Sequence, residues 1–167
     1  MTADKIEAYT TFFLSSASML SIDIQMTVYK DEKGMPSVSS LGKSKDGSAT
    51  ILAVDDVKFF LNRLKTVIQE IDSECELLCE SSAKGALRLI KHCQPDLFIL
   101  DIEMPEMDGY ELAQKIREAG QTAPIIFLTG NSAKEYVVKA IEAGAADFIL
   151  KPITKEIAAD KICKYIW

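Results

Sequence analysis

From Thr50 to the end of the chain, short apolar runs alternate with longer stretches in which apolar residues recur every three or four positions. The short runs are typical of buried strands, and the longer stretches are typical of amphipathic helices. Five such pairs follow one another, which is the pattern of consecutive βα units around a parallel sheet. The strands are predicted at 51–54, 76–79, 97–100, 125–128 and 148–150.

Proline, glycine and threonine mark where the intervening helices begin and end. Proline cannot continue a helix, glycine commonly follows a helix end, and threonine commonly caps a helix start. We therefore expect Gln94-Pro95 to end the second helix and Thr154 to cap the last one. The helices are predicted to carry Phe60 to Ile71, Ala83 to Gln94, Gly109 to Glu118, Ala133 to Ala143, and the residues from Thr154 to Trp167.

Strands this apolar must be covered on both faces. The sequence therefore predicts a three-layer α/β/α sandwich with a five-stranded parallel sheet in doubly wound order. Ligands of such sheets bind at the carboxyl ends of the strands. Asp55 and Asp56 follow the first strand, Asp101 the third, Thr129 the fourth and Lys151 the fifth. We expect these side chains to converge on one pocket.

The first 48 residues have a different pattern. Apolar residues from Ile6 to Leu20 recur at steps of three and four, which predicts an N-terminal amphipathic helix that packs on the domain or on a second copy. Residues 22–28 alternate as in a strand, and residues 37–48 are rich in Ser, Gly and Lys, as in a linker. The chain thus divides into an extension, 1–48, and a domain, 49–167.

Composition excludes several classes of function. A net charge of −6 and scattered lysines argue against a nucleic-acid partner. No apolar run approaches the roughly 18 residues of a membrane span. The four cysteines lack metal-ligand spacing and have a single histidine beside them, so we expect reduced core thiols and a cytoplasmic protein.

The polar residues at the strand ends suggest a chemistry. Three carboxylates brought together repel one another unless a cation lies between them. Magnesium prefers oxygen ligands and commonly binds through carboxylates together with phosphate oxygens. Lys151 adds an ammonium and Thr129 a hydroxyl. Such a set suits a phosphoryl group.

Four motifs occur in order along residues 49–167, and together they resemble the receiver domains of two-component response regulators, the CheY-like fold. They are Asp55-Asp56, Asp101-x-x-Met104-Pro105-x-Met107-Asp108-Gly109, Thr129, and Phe148-x-x-Lys151-Pro152. The resemblance implies a flavodoxin-like sheet and a signalling domain rather than an enzyme. It also implies a cis bond between Lys151 and Pro152.

The resemblance further implies a role for each pocket residue. Asp101 would accept a phosphoryl group, Lys151 and Thr129 would contact its oxygens, and Phe148 would swing inward as Thr129 moves. Mg²⁺ would be held by Asp55, Asp56, Asp101 and the backbone carbonyl of Glu103. The phosphodonor would be a sensor histidine kinase or a phosphotransfer protein. The fourth helix, fifth strand and fifth helix would then control binding of a downstream target or of a second copy.

Four other functions compete with this interpretation. A hydrolase with an aspartate nucleophile, like the haloacid dehalogenase-like phosphatases, would have a second aspartate where Glu103 stands. A flavodoxin-like cofactor binder would need a phosphate-binding loop where Asp55 and Asp56 would repel phosphate. A phosphorylation-independent interaction module on the same fold would not need the intact acidic set. The chain could also be a regulatory fragment of a larger signalling protein.

The extension, residues 1–48, is expected to mediate self-association.

Overall fold

A computed structural model describes residues 48–131 and 133–166. Within them, five parallel strands form one sheet in the order β2-β1-β3-β4-β5, which is the flavodoxin-like order. The predicted sandwich and its doubly wound order are confirmed. The predicted N-terminal helix and strand, and the predicted linker up to residue 47, lie outside the described residues. The strands are β1 (Thr50–Val54), β2 (Glu76–Glu80), β3 (Leu97–Asp101), β4 (Ile125–Thr129) and β5 (Asp147–Leu150).

One helix follows each strand. Four of the five match their predictions to within a few residues, and Gly120 and Gly144 have the positive φ of helix-ending glycines. Thr154 Oγ1 accepts a hydrogen bond from Ile157 N at 3.4 Å, as expected for a cap. The helices are α1 (Lys58–Ile71), α2 (Ala83–Leu89), α3 (Gly109–Glu118), α4 (Lys134–Glu142) and α5 (Lys155–Ile166).

The predicted end of α2 is wrong. The helix stops at Leu89, well before Pro95. The amides of Lys91 and His92 donate to carbonyls three residues earlier, which tightens the chain into a turn. The side-chain amide of Gln121 then donates to the carbonyls of Ile90 and Cys93, at 3.2 and 3.4 Å. A residue from a distant loop thus supports a non-helical backbone at this point.

Alternate residues of each strand enter two separate cores. On β1, Leu52 and Val54 join a core with α2, α3 and α4, while Ile51 and Ala53 join a core with α1 and α5. This placement leaves the carboxyl ends of the strands open between the two helical layers. The loops that carry the polar residues of interest all lie there.

The burial of each cysteine depends on where the residue lies in these layers. All four are free thiols. Cys75 is buried as expected, and burial raises its pKa to about 11. Cys79, however, is exposed, so the prediction of core thiols is wrong for this residue. It lies on β2, which forms an edge of the sheet. Cys93 and Cys163 are half-buried.

Candidate functional site

Sheet register places the polar ends of the strands side by side. Val54, the residue before Asp55, pairs with Leu100, the residue before Asp101. On the other side of β3, Asp101 itself pairs with Leu128. Parallel strands that end at the same level therefore present their following residues to one another.

Three carboxylates form a cluster at this edge. One oxygen each from Asp55, Asp56 and Asp101 lies within 4.8 Å of the others. Asp55 and Asp101 are buried, whereas Asp56 is exposed. Burial raises the pKa of Asp101, and the charges of Asp55 and Asp56 raise it further against the opposing effect of Lys151. The carboxylate of Asp101 is thus held in an unfavourable environment for a negative charge.

Lys151 supplies the positive charge of the cluster. Its Nζ lies 2.8 Å from Asp55 Oδ2 and 2.9 Å from Asp101 Oδ1. Burial alone lowers the pKa of Lys151, but its contacts with the two carboxylates outweigh burial and raise it. The lysine is therefore protonated at neutral pH. The cis bond expected between Lys151 and Pro152 is present.

The donor set fits a divalent cation. One ammonium faces three carboxylates, so negative charge remains in excess. Among the described residues, buried Asp55 Oδ2 has the ion pair with Lys151 but no hydrogen bond of good geometry. Its partner oxygen, Oδ1, accepts from Val57 N at 2.9 Å. Hard oxygen donors in this number are the ligands that Mg²⁺ uses in proteins.

The loop after β3 is shaped by Gly109. A Cβ on this residue would collide with the carbonyl oxygen of Asp101. The Gly109 amide also donates to the carbonyl of Ile102 at 2.9 Å. This close approach explains why glycine stands here, directly after the Asp108 that caps α3 through Glu111 N.

Thr129 is buried at the end of β4, but its hydroxyl is engaged within its own loop. It accepts from Asn131 N at 3.0 Å and approaches Asn131 O at 3.2 Å as a donor. These hydrogen bonds hold the hydroxyl on Asn131 rather than on Asp101. A contact between Thr129 and a group bound at Asp101 would require them to break.

Phe148 is already in the core, with 4% of its surface exposed. It belongs to the same buried cluster as Val137, Ala140 and Ile141 of α4. The ring thus already lies inward in this structure, and the swing expected of it stays a prediction.

Glu103 is exposed, and its carboxylate lies at the rim. Its Oε1 accepts a hydrogen bond from the Tyr136 hydroxyl at 3.3 Å. The Tyr110 hydroxyl in turn donates to the backbone carbonyl of Tyr136 at 2.9 Å. The sequence pattern missed this connection from the β3 loop to α4, since Tyr136 reads there as an ordinary helix residue.

Phe60 is a second residue that the pattern missed. The centroid of its ring lies 4.1 Å from Lys151 Nζ. The sequence places Phe60 on the apolar stripe of α1, as a core position. Its location in the first turn after the Asp55-Asp56 pair was the available signal.

A family model for the response regulator receiver domain matches residues 51–162. The chain belongs to this family. Receiver domains are signalling domains of two-component systems that interact with histidine kinases and bind Mg²⁺ at an acidic pocket. Membership therefore decides against the hydrolase and the flavodoxin-like cofactor binder.

Relatives of the receiver domain include both long and short regulators. The response regulator TodT of Pseudomonas putida is 35% identical over 121 residues, which cover 72% of this chain and 52% of TodT. The chemotaxis protein CheY of Halobacterium salinarum is 36% identical over 113 residues, which cover 67% of this chain and 92% of CheY. The chain thus spans about half the length of TodT and nearly all of CheY.

Solved structures show the same fold. A CheY-like receiver domain from Methanospirillum hungatei has a TM-score of 0.65 and 28% identity, covering 71% of this chain and 94% of the other. Vibrio cholerae CheY4 has a TM-score of 0.63 and 26% identity, with coverage of 71% and 98%. In the described part of the receiver chain, no helix is long and apolar enough to cross a membrane.

Proposed function

We propose that this receiver accepts a phosphoryl group on Asp101 from a phosphohistidine of a sensor histidine kinase or a phosphotransfer protein. A carboxylate oxygen of Asp101 forms the new bond to phosphorus as the bond from phosphorus to the histidine nitrogen breaks. The product is an acyl phosphate, which water later hydrolyses. The observation that carries the proposal is the buried Asp101 carboxylate held 2.9 Å from an ammonium within an acidic cluster.

Mg²⁺ would be held by Asp55, Asp56, Asp101 and the backbone carbonyl of Glu103. When bound, it would neutralise the excess negative charge that otherwise repels an incoming phosphoryl group. The chain's own residues do the remaining work. Lys151 orients Asp101 through its Oδ1 and would then pair with the phosphoryl oxygens, where charge develops.

Thr129 would complete the pocket after transfer. Its hydroxyl would exchange two local hydrogen bonds with Asn131 for one to a charged phosphoryl oxygen. Neutral hydrogen bonds contribute roughly 0.5–1.5 kcal/mol each, and one to a charged group about 1.5–3 kcal/mol. The two arrangements are thus close in free energy, as a switch requires.

The consequence would appear on the face formed by α4, β5 and α5. Thr129 precedes α4 in the chain, and Phe148 of β5 is buried in the same core cluster as residues of α4. Movement of the Thr129 loop would therefore repack this face around a ring that is already buried. The face would control binding of a downstream target or of a second copy.

We propose further that residues 49–167 form the receiver and that residues 1–48 mediate self-association. Sedimentation of a chain beginning at Ser48 tests the latter, and an unchanged oligomeric state would count against it.

The test of the phosphotransfer function is intact mass after incubation with Mg²⁺ and a small-molecule phosphodonor, beside Asp101→Asn. We expect the unmutated chain alone to gain one phosphoryl group, and hydroxylamine to remove it, since hydroxylamine cleaves acyl phosphates but not phosphate esters. Equal labelling of Asp101→Asn would overturn the proposal. If neither a small-molecule phosphodonor nor sensor histidine kinases phosphorylate the unmutated chain, an interaction module that does not use phosphorylation is favoured.

A further inference from the structure

The Lys151 ammonium has two different kinds of neighbour. Asp55 and Asp101 lie at 2.8 and 2.9 Å, and the ring centroid of Phe60 lies at 4.1 Å. Only 12% of the lysine side chain is exposed. The ring therefore lies where water would otherwise solvate the ammonium.

An aromatic ring face attracts a cation because its quadrupole places negative charge above and below the ring. The attraction is appreciable when the cation lies within about 6 Å of the centroid, and it grows when water is excluded. The contact between Phe60 and Lys151 meets both conditions. A leucine would fill much of the same space but would not attract the charge.

The local structure fixes the ring where it can act. Asp55 Oδ1 accepts from Val57 N at 2.9 Å, and the carbonyl of Val57 accepts from Phe60 N at 2.9 Å. One short turn thus connects a carboxylate of the pocket to the ring. Farther along α1, Arg63 Nε donates to the carbonyl of Ile153 at 3.5 Å, which ties the helix to the segment after Lys151.

We propose that Phe60 is a positioning residue of the pocket, whose ring face holds the Lys151 ammonium toward Asp55 and Asp101 and excludes water from it. The inference rests on the proposed function, because the step that Phe60 assists is phosphoryl transfer to Asp101. Without the ring, the ammonium gains water and freedom, so it contacts the incoming phosphoryl oxygens less effectively. The carboxylates remain, and a less firmly held ammonium competes less with Mg²⁺ for them.

Loss of the ring should therefore affect phosphorylation and Mg²⁺ binding differently, and this difference distinguishes a positioning role of Phe60 from a packing role. Phe60→Leu should slow phosphorylation by a small-molecule phosphodonor roughly 3- to 30-fold. Its affinity for Mg²⁺, measured by calorimetry without phosphodonor, should be unchanged or higher. A ring that only packs the pocket would, on removal, weaken Mg²⁺ binding together with phosphorylation, and that result would overturn the proposal.

Fluorinated phenylalanines at position 60 sharpen the test. Successive fluorines weaken the quadrupole with little change in shape, so the logarithm of the rate should fall steadily with their number. A flat series would overturn the proposal. Phe60→Tyr, which keeps the ring face, should retain most of the rate. Phe59 is the matched control, because it is 70% exposed and packs edge to face on Phe60 with centroids 5.6 Å apart. Phe59→Leu should change the rate by less than about twofold.

One readout is independent of phosphorylation. The Phe60 ring current should shift the ε-proton resonances of Lys151 upfield, and Phe60→Leu should return them to ordinary positions. Absence of that shift in the unmutated chain would overturn the proposal. If the shift is present but the unmutated chain accepts no phosphoryl group, the contact stands, whereas the proposed function and the positioning role that depends on it both fail.

Discussion

Asp101 and Asp147 are both buried carboxylates of this receiver, but their surroundings differ in charge. Asp147, at the start of β5, has Lys161 Nζ at 2.8 Å, Lys164 Nζ at 3.8 Å and the amide of Phe148 at 2.8 Å. The Tyr165 hydroxyl lies 3.5 Å from Asp147 Oδ2. Asp101 shares one ammonium with Asp55 and lies beside Asp56 as well.

The difference separates a carboxylate that connects two elements from the proposed phosphoryl acceptor. A buried charge with a full set of partners connects two elements, here β5 and α5, and gains little from any further ligand. A buried charge with too few partners attracts cations and groups that bring them. Burial alone therefore does not distinguish the two aspartates, whereas the balance of charges around each of them does.

The same substitution at the two sites should give the largest contrast in function. Asp101→Asn should abolish phosphoryl acceptance, because the amide is not a nucleophile for phosphorus. Asp147→Asn should retain acceptance, because no phosphoryl-contacting residue is changed. Intact-mass analysis of both variants with Mg²⁺ and a phosphodonor makes the comparison. Loss of acceptance in a folded Asp147→Asn protein would show that the two sites are not independent.

In stability, the order of the two variants should reverse. Asp147→Asn removes the buried carboxylate that Lys161 Nζ contacts at 2.8 Å and should lower the unfolding free energy by about 3 kcal/mol. Asp101→Asn removes a carboxylate from a crowded acidic cluster and should leave that free energy unchanged or raise it. Urea unfolding without Mg²⁺ measures both. Equal destabilisation would mean that Asp101 is as well compensated as Asp147.

Added Mg²⁺ should act on only one of the two regions. At a free concentration ten times the dissociation constant, binding to the folded state raises the unfolding free energy by about 1.4 kcal/mol. Asp147→Asn should keep this gain, whereas Asp56→Asn should lose most of it, since Asp56 belongs to the acidic cluster. Urea unfolding with and without Mg²⁺ decides. A full gain in Asp56→Asn would remove this residue from the metal site.

The smallest effect is a dependence on pH. Burial raises the pKa of Asp101 above its usual value. The charges of Asp55 and Asp56 raise this pKa further, and the contact with Lys151 opposes the rise. A carboxyl with a raised folded pKa stabilises the fold fully below its unfolded pKa of about 3.9, and this contribution is lost as pH rises through the folded pKa. Without Mg²⁺, the unfolding free energy relative to Asp101→Asn should therefore fall as pH rises from about 4. If this relative free energy instead rose with pH, the pKa of Asp101 could not be raised in the folded chain.

Much of the fold was predictable because the strands of a covered parallel sheet are nearly continuous apolar runs. The strands were placed to within a residue or so, and their order followed from the βα pattern. The end of α2 was missed because Gln121, from the loop before β4, supports the turn. A pattern read along the chain does not contain a contact of this kind.

The site was predictable in part for a similar reason. Strand ends bring carboxylates together whatever the details, so Asp55, Asp56 and Asp101 could be grouped from the sequence. The contact of Phe60 with Lys151 could not, because an apolar residue on a helical stripe reads as core whether it faces leucine or an ammonium. The partners of Asp147 were also missed, since they lie one helix later.

In the proposed function, Asp101 accepts the phosphoryl group, and Asp55, Asp56 and Asp147 do not. Borohydride reduction of the phosphorylated chain, followed by peptide mass mapping, tests it directly, because reduction converts an aspartyl phosphate to homoserine. Homoserine is expected at position 101 alone, and only in samples treated with phosphodonor and Mg²⁺. Homoserine at position 55, 56 or 147 would contradict it.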